Sequence, residues 1–190
     1  MIYNVAQLFK ENIGATQRRY LSGELMDLDE LNPGPTSVEG AVVLMRTRQG
    51  VLAQVKAQMR AYQECRRCLE PLRADLELAF EEEFLPTIDI NTGLRIVPEE
   101  DADPVLQIDD HHLLDLEELI RQYALVELSE GHLCSADCKG LCDHCGANLN
   151  TEECRCEPDA IDPRLAELGK FFSLTERITD DDPSTETQAQ

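Results

Sequence analysis

Tryptophan is absent from this 190-residue chain, and aromatic residues make up only 5% of it. The core must therefore be built from Leu, Val, Ile and Ala, and we expect it to be modest in size. No segment reaches the roughly 20 apolar residues that a membrane-spanning helix needs. The first residues lack the basic start and apolar run of a secretory signal. These absences predict a cytoplasmic protein of one domain, or of one domain with a small appendage.

Positive charge is scarce: 17 Lys and Arg stand against 38 Asp and Glu, for a net charge of −21. Residues 1–70 carry nine basic and eight acidic side chains, whereas residues 71–190 carry eight and thirty. Nucleic-acid affinity comes largely from cations at phosphates, so the acidic part should repel RNA. Any RNA contact should fall within residues 1–70. The acidic part favours a basic partner such as a ribosomal protein, although such charge can also serve solubility alone.

Cysteine is plentiful, with eight residues, and six of them lie between Cys134 and Cys156 at gaps of three, three, two, eight and one residues. The other two form a CxxC at Cys65 and Cys68. Short gaps suit thiolates aimed at one metal ion, and cytosolic thiols stay reduced. We therefore predict bound zinc, one ion or two. A disulfide framework is the alternative, and it would require export.

Alternating apolar residues predict an antiparallel β-sheet. From Val51 to Ala61 every odd position is apolar, and from Leu72 to Phe84 the even positions are mostly apolar, while charged and polar residues occupy the other face. A Val-rich run over residues 38–47 precedes the first of these across a turn at Gln49-Gly50, which predicts a hairpin. Residues 15–28 are a further candidate strand. The CxxC falls between the two alternating runs, at a hairpin tip.

The rest of the chain adds helices and loops, giving an α+β fold. Residues 86–112 are acidic and Pro-rich and predict an extended, partly mobile loop. Asp115 to Glu118 resembles a capping box before a helix whose apolar face can cover the sheet. Asp162-Pro163 predicts a second, short helix. We expect a sheet-plus-helix domain at 1–130, a Cys-rich zinc-binding segment with its helix at 131–172, and a disordered acidic tail at 173–190.

The spacing divides the cysteines into two candidate sites. A CxxC facing a CxC across an eight-residue loop forms the tighter one, where Gly146 follows the second ligand and can take a positive φ. The remaining cysteines would form a second site joining the hairpin tip to the segment after the helix. Two reduced thiols or a redox CxxC are the alternatives for the upstream pair, and His132 and, more weakly, His144 are alternative ligands. The first site comprises Cys142, Cys145, Cys154 and Cys156, and the second comprises Cys65, Cys68, Cys134 and Cys138.

Several stretches in order resemble the large ribosomal RNA subunit accumulation proteins, the YceD-type family of bacteria and chloroplasts. They are NVAQL, ECRRCLEP, DLEELIRQYALVELS, DCKGLCDHCGANLN with CRC after it, and DPRLAELGKFF. Asp143 stands where members often have Pro. The resemblance implies a role in the accumulation of 23S ribosomal RNA and in ribosome assembly, and it carries over no catalytic residues. A small basic ribosomal protein is encoded beside many such proteins.

These observations predict a non-enzymatic, zinc-stabilised scaffold that binds large-subunit ribosomal RNA or its precursor, a basic ribosomal protein, or both, and neither a membrane nor a small-molecule substrate. A thiol-redox or metal-dependent enzyme using the CxxC cysteines is the alternative. An ordinary solvated strand face is the alternative for each basic side chain that could contact RNA. The RNA-binding candidates are Arg66, Arg67, Arg46, Arg48, Lys56 and Arg60.

Overall fold

The computed structural model describes residues 1–90, 92–97 and 103–156. A five-stranded sheet and a 14-residue helix dominate it. The elements, in chain order, are β1 (Ile2–Asn4), α1 (Ala6–Phe9), β2 (Thr16–Met26), β3 (Pro35–Arg46), β4 (Val51–Glu64), β5 (Pro71–Pro86), a 3₁₀ turn (Pro104–Leu106), β6 (Gln107–Ile108), β7 (Leu113–Asp115) and α2 (Glu117–Glu130).

Strands β2 to β5 form an antiparallel meander, which confirms the predicted sheet. Along β4 every odd residue from Val51 to Gln63 is buried, and every even residue is exposed or half-buried. The alternation follows from the pleat, which sends successive side chains to opposite faces. Residues 47–50 close the predicted hairpin, where the N–H of Gly50 donates to Oγ1 of Thr47 at 2.8 Å. The buried side chains form the core and define the inner face of the sheet.

The sheet is mixed rather than wholly antiparallel. Strand β6 pairs in parallel with the end of β5, with Leu85 opposite Gln107. The prediction of a simple extended loop over residues 86–112 is therefore wrong for this part, because Ile108 is fully buried and anchors the segment. Strand β1, at Ile2–Asn4, was not predicted and pairs with β7 in a separate two-stranded sheet.

Helix α2 packs on the inner face, as its apolar stripe predicts. Ile120 and Ala124 are fully buried in the same core as the sheet. The ring of Tyr123 stacks on Phe80 of β5 at 4.1 Å between centroids, and its hydroxyl donates to Oε1 of Glu82 at 2.8 Å. The helix thus closes the core and directs the following chain toward the β4–β5 hairpin tip.

The predicted capping box at the start of α2 is wrong in detail. Oδ1 of Asp115 does accept a hydrogen bond from the N–H of Glu117 at 3.0 Å. The N-cap residue, however, is Leu116, which makes no side-chain cap. Glu118 pairs with Arg121 at 3.6 Å rather than turning back to the cap. The turn before the helix supplies the cap because β7 ends at Asp115 and fixes that carboxylate beside the first N–H groups.

The opposite face of β2–β5, here called the outer face, carries no other element of the described chain. It comprises the even positions of β2 and β4 and the odd positions of β3 and β5. Its charged residues are Arg18, Glu24, Glu39, Lys56, Arg60, Glu64, Arg73, Asp75, Glu77, Glu81 and Glu83. Acidic side chains therefore outnumber basic ones there.

The predicted helix near 162–172 and the predicted tail at 173–190 lie outside the described residues. Among the helices of the described part, none is long and apolar enough to span a membrane.

Candidate metal centres

All eight cysteine thiols are free and gather into two groups of four. Within each group, the four sulfur atoms lie within 4.8 Å of one another. The grouping is the one that the spacing predicts, and metal binding by it stays a prediction. The hairpin site consists of Cys65, Cys68, Cys134 and Cys138, and the knuckle site consists of Cys142, Cys145, Cys154 and Cys156.

The sulfur separations fit a tetrahedral ion. In the hairpin site they are 3.8 Å between Cys65 and Cys138 and 3.6 Å between Cys68 and Cys134. Four sulfurs about 2.3 Å from a central zinc lie about 3.8 Å apart, from the edge of a regular tetrahedron. A disulfide would bring a pair to about 2.05 Å. The donor set therefore fits a thiolate-bound metal and not a disulfide framework.

The knuckle site has the same character, with looser burial. Cys145 and Cys154 lie 3.7 Å apart, and Cys154 and Cys142 lie 3.2 Å apart, measured between sulfurs. Cys142 is buried, while Cys145 and Cys156 are exposed. In the hairpin site only Cys134 is exposed. The hairpin site is thus the better shielded of the two.

Both CxxC turns close with the same backbone hydrogen bonds. The carbonyl of Cys65 accepts from the N–H of Leu69 at 2.9 Å, as the carbonyl of Cys142 accepts from Gly146 at 2.9 Å. The residue after the second ligand is left-handed in each, with φ of 59° at Leu69 and 72° at Gly146. Gly146 has the positive φ that the sequence predicts. Leu69 holds the same conformation without glycine's freedom, which costs roughly 1–2 kcal/mol.

The hairpin site joins two parts of the chain that are distant in sequence, the β4–β5 hairpin tip and the segment after α2. The N–H of Arg66 donates to the carbonyl of His132 at 3.1 Å, and Nη1 of Arg67 donates to the carbonyl of Cys138 at 2.9 Å. Gly131 ends α2 with φ of 69°, and a Cβ there would lie 3.3 Å from Cβ of Arg66. The segment after α2 is therefore held against the hairpin tip by backbone contacts as well as by the thiols.

The thiol pKa values differ within each site, with one thiol that ionises readily and another that resists ionisation. Burial raises the pKa of Cys65, but hydrogen bonds from backbone N–H groups outweigh burial and lower it to about 6. A hydrogen bond to a neighbouring sulfur raises the pKa of Cys134 in the same site to about 12. In the knuckle site, a backbone N–H lowers the pKa of Cys142 to about 7, and a neighbouring sulfur raises that of Cys156 to about 12. Adjacent thiols cannot all ionise without a positive charge among them.

The histidines and the redox alternative find no support in this geometry. Nδ1 of His132 lies 2.7 Å from Nε2 of Gln63, outside the four-sulfur group. The backbone of His144 hydrogen-bonds to the sulfur of Cys142, and its ring belongs to neither ligand group. Cys65 and Cys68 lie in the turn between β4 and β5, not at the helix N-terminus that activates a redox CxxC.

The six RNA-binding candidates do not share one surface, and RNA binding by them stays a prediction. Arg46 lies on the inner face, where its guanidinium covers the ring of Phe9 at 4.7 Å. Arg60 pairs with Asp75 on the outer face. The side chain of Arg66 donates to the carbonyl of Glu130, the last residue of α2, and that of Arg67 donates to the carbonyl of Cys138.

Lys56 and Arg48 complete the six. Lys56 is exposed on the outer face, and Arg48 is exposed in the β3–β4 turn. Asn150 lies in the eight-residue loop of the knuckle site, and its side chain contacts a sulfur of the hairpin site. No spacing rule could have identified that contact, because its partner belongs to a different set of ligands.

Comparisons with known proteins relate the chain to a family named for large ribosomal RNA subunit accumulation. The family model for the large ribosomal RNA subunit accumulation protein YceD matches residues 53–172. An uncharacterised protein of Mycobacterium tuberculosis is 30% identical over 125 residues, which cover 63% of this chain and 55% of that protein. The Zea mays chloroplastic YCED homolog 1, named a large ribosomal RNA subunit accumulation protein, is 33% identical over 116 residues, covering 50% of this chain and 40% of that protein.

The Arabidopsis thaliana protein of the same name is 36% identical over 58 residues, covering 30% of this chain and 18% of that protein. The chain thus spans about half the length, or less, of these relatives. No solved structure matches it. The family match contains both cysteine sites together with β5 and α2. The chain belongs to the large ribosomal RNA subunit accumulation protein YceD family.

Proposed function

We propose that this protein is a non-enzymatic factor for the accumulation of large-subunit (23S) ribosomal RNA, acting in ribosome assembly in the cytoplasm. Its family and the printed names of its plant relatives support that role. The pair of four-thiol sites supports the molecular part of the proposal. Metal bound there makes the hairpin tip, the end of α2 and the Cys-rich segment one rigid body.

We assign zinc to both sites. Four thiolates at tetrahedral separations are the donor set of structural zinc, and zinc needs no redox chemistry to remain bound. A closed four-sulfur site leaves no coordination position for water or substrate, which argues against a metal-dependent enzyme. Metal analysis of the purified protein tests the assignment. Two zinc ions per chain agree with it, one agrees with a single site, and none with freely titrated thiols would favour the redox alternative.

A basic protein fits the described surface better than RNA does. The outer face has an excess of acidic side chains, and thiolate sites with zinc add further negative charge, because four thiolates outweigh one divalent ion. Of the basic candidates, Arg46 and Arg60 are engaged within the protein. Most of the affinity for nucleic acid comes from cationic side chains that contact phosphates, and the described surface offers few cationic side chains that are not already engaged within the protein.

A shallow trough of about 590 Å³ crosses the middle of the outer face. Glu39, Gln58 and Glu77 lie side by side on β3, β4 and β5 and line it. Neither of the two carboxylates forms an ion pair in the described part of the chain. Tyr20 lies at the other side of the trough and is 68% exposed. Lys56 also lines the trough, beside Gln58 and on the side of Tyr20. An Arg or Lys side chain of a basic partner laid across Gln58, on the side away from Lys56, would meet both carboxylates.

A charge-reversal experiment tests this partner. We expect the zinc-loaded protein to retain a basic ribosomal protein, identified by mass spectrometry, and to lose it as salt rises. The double variant E39K/E77K should lose retention at low salt. The matched control E11K/E127K changes the net charge equally but lies away from the outer face, and it should behave as the parent protein does. Equal retention by E39K/E77K, or retention indifferent to salt, would contradict the proposed contact.

Ribosomal RNA is tested with a separate variant. Arg48 and Lys56 are the candidates whose side chains have no hydrogen bond or ion pair in the described residues. If RNA is bound directly through the candidate side chains, R48E/K56E should reduce co-sedimentation with large-subunit precursors while leaving both sites metallated. This pair is preferable to R66E/R67E, because the Arg66 and Arg67 side chains also bond to the end of α2 and to the segment after it. Unchanged co-sedimentation would remove these side chains from any RNA contact.

A further inference from the structure

We propose that the hairpin and knuckle sites bind metal cooperatively, with Asn150 as the positioning residue that couples them. This inference rests on the proposed occupation of both sites by zinc. It concerns how the two ions depend on each other, which the presence of two separate ligand sets does not by itself determine.

Asn150 belongs to the loop of one site and contacts a ligand of the other. It lies between Cys145 and Cys154, the second and third ligands of the knuckle site. Its Nδ2 donates to Sγ of Cys138 in the hairpin site at 3.4 Å. Its Oδ1 accepts from the backbone N–H of Lys139 at 2.8 Å. One side chain therefore holds both the last hairpin-site ligand and the residue that follows it.

A backbone ribbon continues the same connection. The N–H of Leu141 donates to the carbonyl of Arg67 at 3.2 Å, and the N–H of Leu149 donates to the carbonyl of Gly140 at 3.0 Å. Gly140 has φ of 78°, and a Cβ there would lie 3.2 Å from the carbonyl oxygen of Arg67. Residues 138–142 are therefore fixed on one side by the hairpin tip and on the other by the knuckle loop.

Hydrogen bonds centred on Asn148, rather than burial, shape the knuckle loop between its ligands: the N–H of Asn150 donates to Oδ1 of Asn148 at 3.0 Å, and the N–H of Glu152 donates to the Asn148 carbonyl at 2.8 Å. None of residues 146–153 is buried. Its ends are the two halves of the knuckle ligand set, so a metal there closes the loop and sets the position of Asn150. The amide then donates to the Cys138 thiolate and stabilises its charge. Partners of this kind, which contact ligands rather than metal, typically change metal affinity by about 10–100-fold.

The coupling must act in both directions. Metal in the hairpin site fixes Cys138 and Lys139, which offers Asn150 its two partners and favours the closed loop. Free-energy coupling between two binding sites is reciprocal, so each ion should raise the affinity of the other by the same factor. Loss of either ion should therefore weaken retention of the remaining one.

Chelator competition on the full-length zinc-loaded protein tests the inference. The C154S/C156S variant keeps only the hairpin site, and C65S/C68S keeps only the knuckle site. If the sites are coupled, the wild-type release curve should be steeper than the sum of the two single-site curves. It should also require about tenfold more chelator. A wild-type curve equal to that sum would overturn the proposal.

The Asn150→Ala variant provides the decisive comparison, because it keeps all eight ligands. We expect it to bind two zinc ions but to release both at about 10-fold or more lower chelator concentration. Glu152→Gln, in the same loop and exposed, should match the wild type. A curve for Asn150→Ala that superimposes on that of Glu152→Gln would refute the role of Asn150. Absence of zinc from the wild type is a different result, which would reject the zinc assignment itself.

Discussion

Zinc removal should unfold the Cys-rich segment and leave the sheet folded. The described residues contain two separate buried clusters. The larger includes the inner face of the sheet and α2, and it contains no cysteine. The smaller consists of Cys65, Cys68 and Cys138, with only a few half-buried leucines packed on it. A strong chelator removes the metal that would hold the second cluster together, but it leaves the apolar packing of the first cluster unchanged.

The magnitudes support this separation. Ordering the backbone costs about 1–2 kcal/mol per residue, and residues 131–156 must all be ordered. Burying a leucine fully contributes only about 1.5–3 kcal/mol, and Leu133 and Leu141 are half-buried. A structural zinc contributes roughly 10–16 kcal/mol of apparent binding free energy. Two zinc ions, bound as proposed, would therefore supply the main stabilisation of residues 131–156, whereas the sheet has its own apolar core.

Hydrogen exchange measured by mass spectrometry checks the prediction. After chelation, the backbone N–H groups of Leu141, Cys142 and Leu149 should exchange as in an unfolded chain, because the hydrogen bonds of Cys142 and Leu149 lie within the Cys-rich segment and that of Leu141 joins this segment to the hairpin tip. Amides of β4 in its pairing with β3 and β5 should keep their protection. The same chelator saturated with zinc is the control. Retained protection of residues 139–149, or loss of protection throughout the sheet, would refute the reasoning.

Three further predictions concern single residues. Tyr123→Phe removes the hydrogen bond to Glu82 and should cost about 0.5–1 kcal/mol in urea unfolding at pH 7. That hydrogen bond also raises the pKa of Tyr123 above its usual 10. Its contribution to stability is therefore complete below pH 10 and disappears as the pH rises through the raised pKa. If the unfolding free energies of parent and variant depended identically on pH in the alkaline range, this prediction would be contradicted. Leu69→Gly removes a leucine from the left-handed conformation and should strengthen zinc retention at the hairpin site. Gly146→Leu places a leucine in that conformation and should weaken zinc retention at the knuckle site. If the chelator concentrations for half release moved in the same direction in both variants, this account would be wrong. Gly40→Ala would bring a Cβ into contact with a backbone carbonyl of β4 and should destabilise the sheet by about 1–3 kcal/mol. Thermal unfolding measures this loss, and an unchanged melting temperature would contradict it.

The alternating residue pattern predicted the strands well, but it did not predict every strand pairing. The alternation in β4 and β5 assigns each side chain to a face because the pleat is a property of the backbone alone. The parallel pairing of β6 with β5 has no such local signal. This pairing depends on where the two-residue strand β6, with its buried Ile108, meets the end of β5, which lies more than twenty positions earlier in the chain.

The basic candidates illustrate the same limit. Arg46 continues the even positions of β3, and those positions form the inner face, so it lies across the sheet from Lys56 and Arg60. Charge in the sequence does not reveal which face a strand presents to the core. Arg66 and Arg67 are exposed at the hairpin tip as their position suggests, yet their side chains bond to the last residue of α2 and to the segment after it. That contact depends on the direction in which α2 ends.

The sequence by itself determined the β-sheet, the helix that covers it and the composition of the knuckle site, because all three follow from short-range geometry along the backbone. For the hairpin site, the spacing left Cys65, Cys68, Cys134 and Cys138 as the remaining candidate set, and the tertiary structure showed that these thiols meet. The thiols of these two pairs meet because α2 packs on the inner face and stops at Gly131 beside the hairpin tip. It also placed Asn150 on a sulfur of the other site. Such contacts depend on the relative positions of packed elements, which residue spacing does not encode.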